Sequence, residues 1–186
     1  TANFAVLFST QVGALTTAQL VSLKSDALAS LSTSALAGLT SSQIVALTTE
    51  QAFNLTSVAV EALSTTQIKA LQTADIAALS TTGASALTSA QVKVLSTNQV
   101  LALEIADVGV LSAEAVRGFT STQVKALTTS QIAALNTAQA SDLTTSFVKS
   151  LSTSQVAALE TRDVAVMSAA SIAALSSTQW AAVTTA

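Results

Sequence analysis

Apolar residues recur along this chain with a period of eight residues. A leucine occupies every eighth position from Leu7 to Leu175, and only Phe119 and Met167 replace it. A second apolar position follows five residues after each leucine. From residue 6 to residue 181 the pattern makes 22 units without an insertion or a deletion. With positions labelled a to h and leucine at b, the consensus is Ala-Leu-Thr-Thr-x-Gln-Val/Ile-x, and each unit is expected to occupy an equivalent place in a repeat structure.

The length of the period excludes a single continuous helix. At about 100° per residue, eight residues overshoot two full helical turns by about 80°. The leucines would therefore wind around such a helix and would face no single partner. We infer that the chain breaks and restarts within every unit.

The restart signal is a capping box. Position c is Ser or Thr in 16 of the 22 units, and position f, three residues later, is Gln in 12 of the 22. In such a box the hydroxyl accepts from the N–H at the third helical position, and Gln reaches back to the N–H of the capping residue. The apolar residues at b and g are spaced as a hydrophobic staple, as in residues 87–92. These signals predict a short capped helix from d to a in each unit, with a corner at b and c.

A β-solenoid is the alternative fold. Thr, Val and Ile favour strands. Corners between strands are usually built with Gly, Asn, Asp or Pro, however, and this chain has five Gly and no Pro for its 22 corners. Ala and Gln at fixed positions also favour helix. The sequence therefore predicts an all-α solenoid of 22 eight-residue repeats.

The departures from the consensus indicate a longer period. Units with Ser or Thr at c and d and Gln at f form clusters about 3.3 units apart, and charged or irregular units fall between them. We expect a superhelix of 3 to 3.5 units per turn, with a regular Thr/Ser/Gln face on one side. The candidate contact residues of this face are Thr48, Thr49, Thr88, Ser89, Thr128, Thr129, Ser152 and Thr153. They are either solvent-exposed capping residues or a binding surface for ice, a polysaccharide or a second copy of the chain.

Composition excludes most chemistry. The chain has no His and no Cys, so an imidazole base, a thiolate nucleophile and the usual zinc ligands are absent. Seven basic residues against ten acidic ones argue against a nucleic-acid surface, and no apolar run approaches the length of a membrane span. We interpret Asp75, Asp107 and Asp163, which replace Gln at f, as capping residues at helix N-termini. No enzymatic activity and no cofactor are expected.

The repeat extends over residues 1–186, which predicts a single solenoid domain. Both ends fall inside a unit, and neither carries the polar capping repeat with which solenoids usually end. The chain is therefore expected to be an excerpt of a longer array.

The octapeptide Ala-Leu-Thr-Thr-x-Gln-Ile-x is clearest at residues 46–53 and 126–133. It resembles the repeat tracts of very large secreted bacterial surface proteins of the adhesin type. The resemblance implies an extracellular, cysteine-free acidic protein at a bacterial surface, in which the array is a stalk, a spacer or a fibre-forming segment. A binding module that uses the Thr/Ser/Gln face is the alternative function.

Overall fold

The computed structural model describes residues 6–183, and this part of the chain folds into short α-helices joined by extended corners. It divides into two compact units, of which the first ends at Leu87 and the second begins at Thr88. The helices of the first unit are α1 Ser9–Gly13, α2 Thr17–Ser22, α3 Ser25–Ala29, α4 Thr33–Leu36, α5 Ser41–Val45, α6 Thr49–Phe53, α7 Ser57–Ala62, α8 Thr65–Ala70, α9 Thr73–Ala77 and α10 Thr81–Ser85. The helices of the second unit are α11 Ser89–Val94, α12 Thr97–Ala102, α13 Ile105–Val110, α14 Ala113–Arg117, α15 Ser121–Ala126, α16 Thr129–Ala133, α17 Thr137–Ser141, α18 Thr145–Ser150, α19 Thr153–Ala157, α20 Thr161–Val166, α21 Ala169–Ala173 and α22 Ser177–Val183.

Most helices begin with a side-chain cap that the sequence predicts. In α16, Thr128 is the N-cap, with an extended backbone at φ −74° and ψ 159°. The N–H of Gln131 donates to its Oγ1 at 3.1 Å, and its own N–H donates to Gln131 Oε1 at 2.9 Å. The same box forms in α2, α5, α6, α8, α11, α12, α15 and α19. The prediction of one short helix per unit is confirmed. The N-caps Phe8, Lys24, Gln72, Glu104 and Glu160 make no side-chain capping bond, so the cap is not present in every unit.

The corners explain why the chain needs so little glycine. None of the residues that the structure describes has a positive φ. A helix ends in a residue with right-handed helical or extended backbone, and the next N-cap is extended, so any L-amino acid fits the corner. The alternative of a β-solenoid is wrong, since residues 6–183 contain no strand.

Within each of the two compact units, a helix stacks on the helix three places earlier in the chain. In the first compact unit the stacks are α1–α4–α7–α10, α2–α5–α8 and α3–α6–α9. In the second they are α11–α14–α17–α20, α12–α15–α18–α21 and α13–α16–α19–α22. One turn of the solenoid therefore takes about three octapeptides, in agreement with the range that the sequence predicts.

The core of each compact unit is formed by positions b and g. Side chains at g are fully enclosed in the middle turns, as for Val100 and Ile132, both 0% exposed, and the leucines at b close the corners. Trp180 also occupies position g, but it is 45% exposed. Its position in α22 accounts for the difference, because no described turn lies beyond that helix to cover the indole.

Turns approach one another closely where the end of one helix crosses the start of another. Gly118 ends α14 and lies over Ser89, the first residue of α11. A Cβ on Gly118 would overlap the carbonyl oxygen of Ser89 and would lie 2.8 Å from its Cα. Gly38 has the same relation to Ser9 in the first compact unit. Backbone atoms of two turns meet at these places, so there is no room for a side chain.

We predict that Gly118→Ala lowers the free energy of unfolding by about 1–3 kcal/mol, because the backbone of one turn must shift away from the other. The matched control is Gly83→Ala within α10. There the nearest atom to a new Cβ is Leu55 O at 3.3 Å, and the gain in helix propensity is up to about 1 kcal/mol. Urea unfolding followed by circular dichroism compares the two variants. Equal midpoints for both would contradict the close approach at Gly118.

Candidate functional site

The most distinctive polar feature of the fold is the side-chain amide nitrogen, Nε2, of the buried glutamines at position f. While Oε1 of Gln131 caps its own helix, Nε2 donates to the carbonyl oxygens of Val100, at 3.0 Å, and Leu103, at 2.8 Å. Those carbonyls belong to the turn beneath, 31 and 28 residues earlier. The same pair of bonds, at 2.7–3.0 Å, is made by Gln43, Gln51, Gln67, Gln123, Gln131, Gln139, Gln155 and Gln179. We call these residues the glutamine ladder.

The physical reason for the ladder is the shortness of the helices. An α-helix leaves its first four N–H groups and its last four carbonyls without partners inside the helix. In a helix of five residues, these are almost all of the backbone groups. A buried backbone group without a partner costs about 1–3 kcal/mol. Each ladder glutamine bonds to three backbone groups, namely one N–H in its own corner and two carbonyls beneath it. One of these carbonyls, such as Val100 O, also accepts from the N–H of the next leucine.

The expected exposed Thr/Ser/Gln face needs a correction. The ladder glutamines are buried; Gln51 and Gln131, for example, are each 2% exposed. Among the described glutamines at f, only Gln11 and Gln19 in the first turn are exposed, and no described turn lies beneath them. The ladder glutamines are polar but point into the stack, because their partners are backbone carbonyls of the neighbouring turn. The exposed part of the face therefore consists of hydroxyl residues.

The candidate contact residues occupy the N-cap and the first helical position of four helices. Thr48 and Thr49 belong to α6, Thr88 and Ser89 to α11, Thr128 and Thr129 to α16, and Ser152 and Thr153 to α19. The four N-cap hydroxyls accept from the N–H three residues later at 3.1–3.3 Å.

Only some of these residues are brought together. Helix α16 stacks directly on α19, so their two hydroxyl pairs belong to the same stack. Helix α11 belongs to another stack of the second compact unit, and α6 lies in the first. Thr48, Thr88 and Ser89 are half-buried, whereas the other five are exposed. A contact role for these hydroxyls, toward a glycan, ice or a second copy, stays a prediction.

Two open grooves accompany this surface. In the first compact unit the groove is lined by Lys24, Asp26, Thr48, Thr49, Glu50 and Asn54, with smaller contributions from neighbours. In the second compact unit Ser89, Lys93, Glu114, Arg117, Thr120 and Asp142 contribute to another. Arg117 and Asp142 approach to 3.8 Å as an exposed ion pair. Both grooves offer hydroxyls and charges of either sign to solvent.

Position f contacts the turn beneath even where it is not glutamine. Phe147 occupies f in α18, is 2% exposed and packs edge-on against Phe119, with ring centroids 6.4 Å apart. Phe119 lies one turn earlier, at the same spacing that separates Leu103 from Gln131 in the ladder. Ser171 donates its hydroxyl to Leu143 O at 2.6 Å over the same interval. The two phenylalanines thus replace a polar contact between turns by an aromatic one.

Aspartates at f are buried, but they do not all cap as the sequence predicts, because neither side-chain oxygen of Asp163 has a hydrogen-bond partner. Asp75 Oδ2 accepts from the N–H of Gln72 at 3.1 Å, as the sequence predicts. Asp75, Asp107 and Asp163 are at most 1% exposed. Burial raises the pKa of all three carboxyls, and raises that of Asp107 to about 6 although the Glu104 N–H lowers it. At Asp163 the Arg162 guanidinium lowers the pKa, but its Nε lies 3.9 Å from Oδ1, which is too far for a hydrogen bond.

Two further observations describe what the molecule contains. Within residues 6–183 no three acidic side chains come together as a set of metal ligands. None of the described helices has the length and apolar character needed to cross a membrane.

Capped helices of a few residues, stacked every third octapeptide and joined by a glutamine ladder, define an all-α tandem-repeat solenoid. The ALTTAQ repeat family model matches residues 22–57, 68–105, 100–137 and 156–186. These segments comprise well over half of the chain, so the chain belongs to the ALTTAQ repeat family. Comparisons with curated proteins and with solved structures found no match.

We predict that Gln43→Ala destabilises the first compact unit by about 2–4 kcal/mol more than Gln19→Ala. Both variants lose a capping bond to a threonine N–H, which is worth about 1 kcal/mol. Only Gln43→Ala also removes the bonds to Val12 O and Leu15 O. It leaves Leu15 O without this donor, whereas Val12 O still accepts from the N–H of Leu15. Urea unfolding of each variant gives the difference. Equal losses of stability would show that the contacts between turns contribute nothing.

Proposed function

We propose that this chain is a structural rod, which acts as a stalk, spacer or fibre-forming segment of an extracellular bacterial surface protein. The glutamine ladder is the observation that carries the proposal. Its hydrogen bonds run from turn to turn within each compact unit, so they resist separation of the turns. A continuous apolar core at b and g adds to this resistance.

The repeat also explains how such a rod obtains its length. Each turn contacts the turn beneath it through carbonyls and a corner, and it offers the same carbonyls and the same corner to the turn that follows. Octapeptides can therefore be added without redesign of the core, as in other solenoids, whose stability is a sum over repeats and neighbour contacts. A spacer requires this property, whereas a catalytic site requires a unique arrangement. The isolated buried aspartates offer no such arrangement, and we propose no enzymatic role.

The extracellular location is supported by composition and by the resemblance of the octapeptide to tracts of secreted surface proteins. The chain has no cysteine to oxidise, and hydroxyl residues rather than lysines dominate its exposed corners. Antibody labelling of intact cells of the source bacterium tests the location. Labelling without permeabilisation is expected, and labelling only after lysis would contradict it.

We predict that duplication of residues 110–133, which inserts three octapeptides or one turn, lengthens the second compact unit by about 8–10 Å, the usual distance between packed helices. The cross-section is expected to stay unchanged, because added turns extend the stack along its axis. Small-angle X-ray scattering measures both dimensions.

The matched control duplicates the same segment with one extra alanine after residue 133. This shifts all later octapeptides out of phase and is expected to lower stability and broaden the scattering profile. A growing cross-section in the in-phase duplication would contradict the rod. Electron microscopy of the parent chain separates a spacer, seen as isolated short particles, from a fibre-forming segment, seen as filaments.

Recognition of a polysaccharide is the second candidate function, and the two polar grooves favour it. Hydroxyls, Lys93, Arg117 and Asp142 line the groove of the second compact unit, and such groups hydrogen-bond to sugars. A glycan array probed with the purified chain tests this candidate. We expect any glycan bound there to lose affinity at least tenfold with Arg117→Ala, whereas Arg162→Ala, at an exposed arginine outside the groove, is the matched control. Binding that is unaffected by Arg117→Ala would contradict this site.

A further inference from the structure

Three turns of the solenoid carry a carboxyl group where the ladder has an amide. Asp75, Asp107 and Asp163 occupy position f and are buried. Both side-chain oxygens of Asp163 and Oδ2 of Asp107 have no hydrogen-bond partner. Buried oxygens of this kind are rare in folded proteins and call for a physical explanation.

In the ladder register, the groups beneath Asp75 and Asp163 are acceptors. In the register of the ladder, the carbonyls of Ile132 and Leu135 lie beneath Asp163, and those of Ile44 and Leu47 lie beneath Asp75. Glutamine meets such carbonyls with the donor Nε2, as Gln131 does. An ionised carboxylate has no donor at all, whereas a protonated carboxyl has one O–H. The side chain of Asp is also shorter by one methylene.

Few charged side chains lie near enough to these aspartates to change their preference between the ionised and the protonated state. The helix beneath Asp163, α17, has no ionisable side chain, and Asp142 follows it in an exposed pair with Arg117. On its own helix Asp163 has Arg162 and the preceding Glu160, which bind each other at 2.6 Å.

The other two aspartates have equally few charged neighbours. Helix α6, packed against α9 and Asp75, contributes the exposed Glu50. Helix α16, which packs against α13, contributes no charge, and Glu104 precedes α13.

We propose that Asp75, Asp107 and Asp163 are proton-binding sites at which acid stabilises the fold, and that at Asp75 and Asp163 it does so by strengthening the contact between a turn and its neighbour. In the protonated state the carboxyl O–H of Asp75 or Asp163 donates to a carbonyl of the turn beneath and takes the place of the glutamine amide. In the ionised state the carboxylate faces carbonyl oxygens, and the turn loosens there. The repeat thus contains specific points whose stacking responds to mild changes of pH, while the glutamine turns do not respond.

The direction of the effect follows from linkage. A carboxyl whose pKa is raised on folding stabilises the fold fully below its unfolded pKa, about 3.9, and this contribution is lost as pH rises through the folded pKa. For Asp107 that value is about 6. The unfolding equilibrium constant is then expected to rise roughly tenfold between pH 5.0 and pH 7.5 from this site alone.

Hydrogen exchange of the full chain, read by mass spectrometry and corrected for intrinsic rates, tests the proposal at pH 5.0 and pH 7.5. We expect α13 and α20 to be better protected at pH 5.0. The triple variant Asp75→Asn, Asp107→Asn, Asp163→Asn keeps a donor at all pH values and is expected to abolish the difference. The control Asp26→Asn alters an exposed aspartate and is expected to leave the difference unchanged.

Three outcomes would overturn the proposal. The first is equal protection at both pH values in the parent chain. The second is a pH difference that persists in the triple variant. The third is protection at pH 7.5 that is restored by sodium or calcium chloride in the parent chain but not in the triple variant, which would mean that a cation rather than a proton occupies these positions.

Discussion

A helix of about five residues cannot supply hydrogen-bond partners to its own backbone, and every other feature of this protein depends on how that shortage is met. The N-cap hydroxyl serves one N–H, and the glutamine at position f serves three further groups. Two of these groups belong to another turn. The local capping problem and the stacking of the solenoid are therefore solved by one side chain, and the helices can be this short only because they are stacked.

Because the side chain at f contacts the neighbouring turn, the residue at f determines how strongly two turns are joined. Glutamine joins turns with two hydrogen bonds, Phe147 joins them through Phe119, and Ser171 joins them with a single hydroxyl. Aspartate joins them in a way that depends on its proton. Variation at one position of the octapeptide thus adjusts the strength of individual turns, while the leucines at b and the residues at g keep the core constant. A structural array with graded contacts fits the proposed role of a stalk or spacer.

Much of the fold follows from local patterns. The spacing of Thr128 and Gln131 predicts the cap, the period of the octapeptide excludes a continuous helix, and the clustering of complete octapeptides indicates about three per turn. The second role of Gln131 could not be predicted in this way, because its partners Val100 and Leu103 lie in another turn and depend on the stacking period. A polar residue without a partner nearby in the sequence is expected at the surface. For this reason the sequence predicts the glutamines on the exposed face. The relation between Phe119 and Phe147 becomes visible only once the length of the turn is known.

The glutamine ladder is tested most directly by the exchange of its own side-chain amide protons, measured by nuclear magnetic resonance. Gln43, Gln51 and Gln67 are buried with Nε2 bonded to two carbonyls, whereas Gln11 and Gln19 are exposed. The account predicts that the Nε2 protons of the first three exchange with water at least tenfold more slowly than those of Gln11 and Gln19. Equal and rapid exchange at all five glutamines would contradict the ladder, and with it the proposal that these residues hold the turns together.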